Sequence, residues 1–319
     1  IVSGAPGSPH TVTLQGVGAT RFDFNADAKA DLLWRNQTSG QNAIWQMAGL
    51  KLAASALIPG VGDGNWRIID AGDFDGDGKA DILWRNISTG DNAVWLMNGA
   101  TLQTSALLYN VPGTAWTMIG TGDFDGDGKA DILWRNTVTG DNAIWFMDGL
   151  NVASTALIAG VADLNWTIAG VGDFDNDGKA DILWRNTSTG DTAVWLMNGF
   201  TLSASAVVQS VPVAWVIAGV GDYNGDGKAD ILWRNSTTGE NAIWLMNGLT
   251  RSSSALTHGV PDANWTIVGT GDYDGDGKAD ILWRNTSTGE NAVWLMDGFT
   301  MKGSALIPGV ADMNWAVIK

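Results

Sequence analysis

The stretch Gly72–Asn86, GDFDGDGKADILWRN, recurs letter for letter at Gly122–Asn136. Near-copies begin around Asp173, Asp222 and Asp272, and a divergent one around Asp23. The leading aspartates fall at 23, 73, 123, 173, 222 and 272, a period of 50 residues shortened once to 49. Tryptophan keeps the same period in three series: Trp34, Trp84, Trp134, Trp184, Trp233, Trp283; Trp45, Trp95, Trp145, Trp195, Trp244, Trp294; and Trp66, Trp116, Trp166, Trp215, Trp265, Trp315. These account for all 18 tryptophans. Such a period marks a repeat architecture, in which each unit buries its apolar surface against its neighbours.

Within one unit the pattern is that of short strands. WRIIDAG (66–72) precedes the acidic loop and ADILWRN (80–86) follows it; STG (88–90) turns the chain into NAVWLMNG (92–99), and TSALLYNV (104–111) leads to the next unit. No segment holds a 3.6-residue period, and the inner strands are apolar on both faces, so each sheet is expected between two others. Four strands per unit of this length predict an all-β, six-bladed β-propeller of four-stranded blades. A solenoid would need atypical caps, yet the last unit keeps its motif up to Trp315. Residues 16–22 lack the Trp-bearing strand that precedes every other acidic loop, while WAVIK (315–319) is an orphan strand. The C-terminal strand is therefore expected to close the ring; seven blades is the alternative count. Residues 1–15 read as a lead segment and 16–319 as one propeller.

In D-F-D-G-D-G-K-A-D (73–81), carboxylates stand at loop positions 1, 3, 5 and 9, with Gly78 at position 6. Alternate side chains from one tight turn converge on a point, and several hard oxygens suit Ca²⁺ better than Mg²⁺, or than Zn²⁺ without His or Cys. The candidate ligands are Asp73, Asp75, Asp77 and Asp81; Asp123, Asp125, Asp127 and Asp131; Asp173, Asp175, Asp177 and Asp181; Asp222, Asn224, Asp226 and Asp230; Asp272, Asp274, Asp276 and Asp280; and Asp23, Asn25, Asp27 and Asp31. They include 22 of the 34 acidic residues, so six Ca²⁺ would move the net charge from −16 to about −4. In the first copy Ala28 replaces the glycine of the bend, which predicts five strong sites and a sixth weak or empty one.

The pattern D-x-[DN]-x-D-G-x-x-D between two strands resembles the FG-GAP/VCBS repeat. It is similar to the calcium loops of integrin α-subunit propellers and of bacterial and fungal propeller lectins. The resemblance implies that the backbone carbonyl at position 7 also ligates, at Lys79, Lys129, Lys179, Lys228 and Lys278.

Composition narrows the function. A net charge of −16 argues against nucleic acid, which demands clustered Lys and Arg. No apolar run is long enough to span a membrane, so no insertion is expected. The first residues, IVSGAPGSPH, lack a signal-peptide layout, as in a processed chain or a piece of a longer one. With no cysteine and only His10 and His258, neither of them in a repeat, no nucleophile–base set assembles. The expectation is a binding module and not an enzyme: a multivalent, lectin-like propeller taking glycans, or else a surface protein's adhesion or structural domain, extracellular or cell-surface and bacterial. A sugar-facing set is expected in Trp84, Arg85, Asn86; Trp134, Arg135, Asn136; Trp184, Arg185, Asn186; Trp233, Arg234, Asn235; and Trp283, Arg284, Asn285. The competing reading pairs Arg85 with Asp91 across the hairpin. Most tryptophans are expected between blades; the alternative is that one series reaches a groove and stacks on a sugar ring. Sequons at Asn36, Asn86, Asn186, Asn235 and Asn285 lie in turns, where these residue types belong in any case.

Overall fold

A computed structural model of the chain describes residues 21–319, so the lead segment 1–15 lies outside the described residues. Among the described residues, twenty-four strands form six antiparallel sheets of four. The first unit supplies β1 (Leu32–Asn36), β2 (Asn42–Ala48) and β3 (Lys51–Ile58). The second is β4 (Trp66–Gly72), β5 (Asp81–Asn86), β6 (Asn92–Asn98) and β7 (Thr101–Leu107). The third is β8 (Trp116–Gly122), β9 (Asp131–Asn136), β10 (Asn142–Asp148) and β11 (Asn151–Ile158). The fourth is β12 (Trp166–Gly172), β13 (Asp181–Asn186), β14 (Asp191–Asn198) and β15 (Thr201–Ser210). The fifth is β16 (Trp215–Gly221), β17 (Asp230–Asn235), β18 (Asn241–Asn247) and β19 (Thr250–Thr257). The sixth is β20 (Trp265–Gly271), β21 (Asp280–Asn285), β22 (Asn291–Asp297) and β23 (Thr300–Ile307).

The last strand, β24 (Trp315–Val317), joins the first sheet, whose order is β24-β1-β2-β3. It pairs Trp34 with Val317, Arg35 with Ala316 and Asn36 with Trp315, and Ile318 N–H adds a 2.8 Å bond to the Leu33 carbonyl. Ring closure by the C-terminal strand is thus observed, and with it the count of six blades. The innermost strands surround a central cavity of about 470 Å³.

The apolar alternation of the second strand explains the packing. Ile82 and Trp84 enter a cluster with Phe24, Leu33 and Ile44 of the first blade, whereas Leu83 turns to Ile132 and Trp134 of the third. Every residue of β5 is consequently buried, and the core is a set of seams between blades. Because successive Cβ atoms alternate across a strand, a single DILWRN serves two seams at once.

At the rim of the STG turns, each turn abuts the loop that leads to the next blade. Gly140 stands at φ +79°, and a Cβ there would lie 2.0 Å from the Val161 carbonyl oxygen. Gly140→Ala is expected to cost at least about 2 kcal/mol, since left-handed strain adds to a backbone clash. Thermal unfolding of that variant checks the expectation.

Candidate metal loops and interblade grooves

The acidic loops join the first and second strands of each blade, and the backbone links them around the ring. Ala80 N–H donates to the Asp23 carbonyl of the previous loop at 2.6 Å. The same bond recurs from Ala30 to Asp272, Ala130 to Asp73, Ala180 to Asp123, Ala229 to Asp173 and Ala279 to Asp222. A second set runs from the β-turn glycines to the loops, as from Gly99 N–H to the Phe24 carbonyl at 2.8 Å.

Each loop is wound about its first aspartate. Asp73 Oδ1 accepts from Gly76 N–H at 2.7 Å and Oδ2 from Gly78 N–H at 2.8 Å. Asp77 Oδ1 accepts from Lys79 N–H at 2.9 Å, a bond that recurs at Lys129, Lys179, Lys228 and Lys278 and holds the position-7 peptide in place. Gly76 and Gly78 are both left-handed, at φ +77° and +84°. In the first copy Ala26 and Ala28 are held at φ 58° and 63°, so the strain expected at Ala28 is present and is doubled at Ala26.

Asp81, at position 9, is buried and spans two strands: its Oδ2 accepts from Phe74 N–H at 2.9 Å and its Oδ1 from Met97 N–H at 2.8 Å. Burial pushes its carboxyl up to about 7, against the pull of those two donors; the nearby Asp75 and Asp73 charges add to the rise. Asp31, Asp131, Asp181 and Asp230 are raised to about 7 and Asp280 to about 8, again chiefly by burial. The position-9 aspartate is therefore also a joint between loop and hairpin, a role its spacing did not reveal.

Four loops bring three carboxylates within 4.8 Å of one another: Asp73, Asp75 and Asp81; Asp123, Asp125 and Asp127; Asp173, Asp175 and Asp181; Asp272, Asp274 and Asp276. The first and fifth loops have Asn25 and Asn224 at position 3, and Asn224 Nδ2 turns to Asp226 Oδ2 at 3.2 Å. The donor set is all oxygen, and Asp175 Oδ1 is buried without a hydrogen-bond partner. Such an orphaned carboxylate oxygen costs free energy unless a cation or donor meets it. These clusters can hold metal ions.

The Trp/Arg/Asn set lies elsewhere than on a sugar-facing surface. Trp84, Trp134, Trp184, Trp233 and Trp283 are each 1% exposed. Arg85 is buried as well, its Nη1 donating to Asn92 Oδ1 at 2.8 Å and its Nη2 to the Val111 and Trp116 carbonyls at 3.0 and 3.1 Å. Its guanidinium lies over the Trp134 ring of the next blade at 5.0 Å. Arg135 on Trp184, Arg185 on Trp233, Arg234 on Trp283 and Arg284 on Trp34 repeat the stack, and Arg35 on Trp84 completes the circle. The hairpin partner is Asn92 and not Asp91, because the strand turns the Asn92 side chain inward while Asp91 bonds Thr89. Asn86 caps its turn, accepting from Ser88 and Thr89 N–H, and Asn136, Asn186, Asn235 and Asn285 do the same. The sequon asparagines of these turns, Asn36, Asn86, Asn186, Asn235 and Asn285, are buried, whereas those of the further sequons at Asn165 and Asn264 are exposed.

The second tryptophan series reaches a groove, which it shares with the third. Trp294 lies at 4.8 Å, tilted, from buried Trp283. With Val260, Trp265, Ala292, Ser304, Ala305 and Leu306 the pair lines a cavity of about 370 Å³. The register explains the wall: Trp283 pairs with Ala292, Ala292 with Leu306, and Trp294 with Ser304, so all face one side of the sheet. The same residue types recur in every blade. The leucine position, filled by Leu57, Leu107, Leu157, Val207, Leu256 and Leu306, is 59–68% exposed throughout. Six repeated exposed aliphatics beside tryptophan form an apolar feature of the outer surface that spacing alone did not single out.

A family model described as an FG-GAP-like repeat matches residues 23–84, 73–134, 123–184, 173–233 and 222–283. A search of curated protein sequences gives no match. Among solved structures, the fold is similar to a Photorhabdus luminescens Tc holotoxin pore, at 14% identity and TM-score 0.50, over 85% of this chain and 15% of that one. It is also similar to the Cps50 (Swd1) β-propeller domain of Myceliophteria thermophila, at 11% identity and TM-score 0.48, over 92% and 85%. A third is dihydro-heme d1 dehydrogenase NirN, at 11% identity and TM-score 0.42, where 88% of this chain spans 55% of the other.

Proposed function

Because the chain belongs to the FG-GAP-like repeat family, we propose that it is a calcium-stabilised binding module whose interblade grooves take neutral saccharides. The Trp294 groove, repeated in kind around the ring, carries the reading. An indole face receives the C–H face of a pyranose, and a few polar groups such as Ser304 orient its hydroxyls. None of the residues lining that groove is charged, which favours a neutral glycan over an acidic one. Several grooves with a common tryptophan wall on one ring convert weak single contacts into avidity on a multivalent surface.

In the loops, Asp73, Asp75, Asp77, Asp81 and the Lys79 carbonyl would hold the ion, with their equivalents in the other copies. Bound calcium supplies the positive charge that lets several carboxylates share one turn. A location outside the cell belongs to the same proposal, since external calcium fills sites with dissociation constants of roughly 10⁻⁴–10⁻³ M. Binding rather than catalysis fits carboxylates already engaged by loop N–H groups.

A glycan array with and without EDTA tests the reading. Retention of neutral glycans is expected, and below the unfolding temperature it survives chelation because no loop carboxylate lines the groove. An array on which no glycan is retained would transfer the function to a protein partner. The variable rim loops favour that second reading, for they expose Leu164, Val213 and Met313.

A further inference from the structure

Although the groove walls repeat, the residues opposite them do not. A residue at the C-terminal end of the outer strand of one blade, or just beyond it, faces the second-series tryptophan of the next. Tyr109 stands edge-on to Trp145 with ring centroids 6.0 Å apart, and His258 stands to Trp294 at 6.2 Å. At the same place the other blades carry Pro59, Ala159, Gln209 and Pro308. A second variable position lies on the outer strand itself, where Arg251 sets its guanidinium 4.8 Å from the Trp244 ring centre. Its counterparts are Leu52, Leu102, Val152, Leu202 and Met301.

Burial follows this variation. Trp145 and Trp244 are buried, at 9% and 6% exposure, whereas Trp45, Trp95, Trp195 and Trp294 are half-buried. We infer that the ring carries four open grooves and two self-capped ones, with the aromatic edge of Tyr109 closing the groove at Trp145 and the cationic head of Arg251 closing the groove at Trp244. The inference rests on the saccharide reading only for the identity of the ligand. Both caps occupy the place a sugar would take: an aromatic edge and a guanidinium are good partners for an indole face. His258 stands edge-on to Trp294 without lining the cavity of about 370 Å³ beside that tryptophan, so that groove is open. The four open grooves are therefore of three kinds, faced by proline at Trp45 and Trp95, alanine at Trp195 and histidine at Trp294.

Two measurements on the intact chain test this. Hydroxyl-radical footprinting with peptide mass spectrometry reads each tryptophan without any ligand. Trp45, Trp95, Trp195 and Trp294 are expected to oxidise several-fold faster than Trp145 and Trp244. Tyr109→Ala should release only Trp145, and Arg251→Ala only Trp244; both replaced side chains are exposed, so the variants should fold. Equal oxidation of all six in the unmodified chain would overturn the capping. Native mass spectrometry with methyl glycosides of glucose, galactose and mannose reads the stoichiometry. Four adducts are expected at saturation, five in either single variant and six in the double. Six adducts on the unmodified chain would overturn the proposal. The footprint pattern without any adduct would uphold the caps and sink the saccharide reading instead.

Discussion

Chelation is expected to lower the thermal midpoint by roughly 10 °C relative to protein in millimolar calcium. Five sites with dissociation constants of about 10⁻⁴ M each contribute about 1.4 kcal/mol at ~1 mM free ion, or roughly 7 kcal/mol together. An unfolding entropy of about 2.1 cal/mol/K per residue converts that sum into the stated shift. The direction with pH is equally specific. In metal-free protein, burial holds Asp81 and its counterparts at about 7, and Asp280 at about 8, above the ordinary value of 3.8. Between those limits the folded state binds more protons than the unfolded state, so metal-free stability falls as pH rises from 4 towards 8. A bound cation requires the ionised form, so the stabilisation by calcium should grow over the same interval. Thermal melts at pH 5 and pH 8, each with and without EDTA, read both effects. A midpoint indifferent to EDTA at pH 8 would sink the calcium proposal.

Ending the chain at Asn314 is expected to abolish cooperative folding. The truncation leaves β1 without its inner neighbour and strips Trp315 and Val317 from the seam between the sixth and first blades. It also removes Ile318 from the seam between the first and second, and the Trp315 carbonyl that receives Arg284 Nη2 at 3.3 Å. Trp315 is half-buried, so its loss costs about 2 kcal/mol, half the roughly 3–5 kcal/mol of a fully buried aromatic. Each lost strand bond adds about 1 kcal/mol. The total, about 6 kcal/mol, falls within the roughly 5–15 kcal/mol that holds a typical domain. Size-exclusion chromatography and circular dichroism read the result; a compact truncated chain with an unshifted midpoint would show that β24 is dispensable.

The sequence made the ring legible because its evidence is repetitive. A 50-residue period, strand-length apolar runs and a missing strand at one end complemented at the other leave few alternatives. The loops were legible for a similar reason, since the candidate ligands at positions 1, 3, 5 and 9 all lie within nine residues. What escaped depends on partners a repeat away. Arg85 meets Trp134, not its own neighbour Trp84, and when every unit carries the same Trp-Arg pair nothing in the letters says which units touch. Asp81 read as a ligand, while its bond to Met97 N–H required knowing how the hairpin folds over the loop. The caps at Tyr109 and Arg251 are visible as variation within a repeat, but their targets are not.

The hydrogen bonds that link loop to loop are made by peptide groups alone, from the residue-80 type N–H to the residue-23 type carbonyl. A junction of this sort is blind to side chains, so any duplicate of the unit arrives already able to join any other. The first loop illustrates the freedom this confers. It has lost its glycines and one carboxylate, yet it still accepts from Ala80 and still donates through Ala30. A unit can thus shed its ligand chemistry and keep its seat, and the lineage that multiplies such units can diversify one copy at a time.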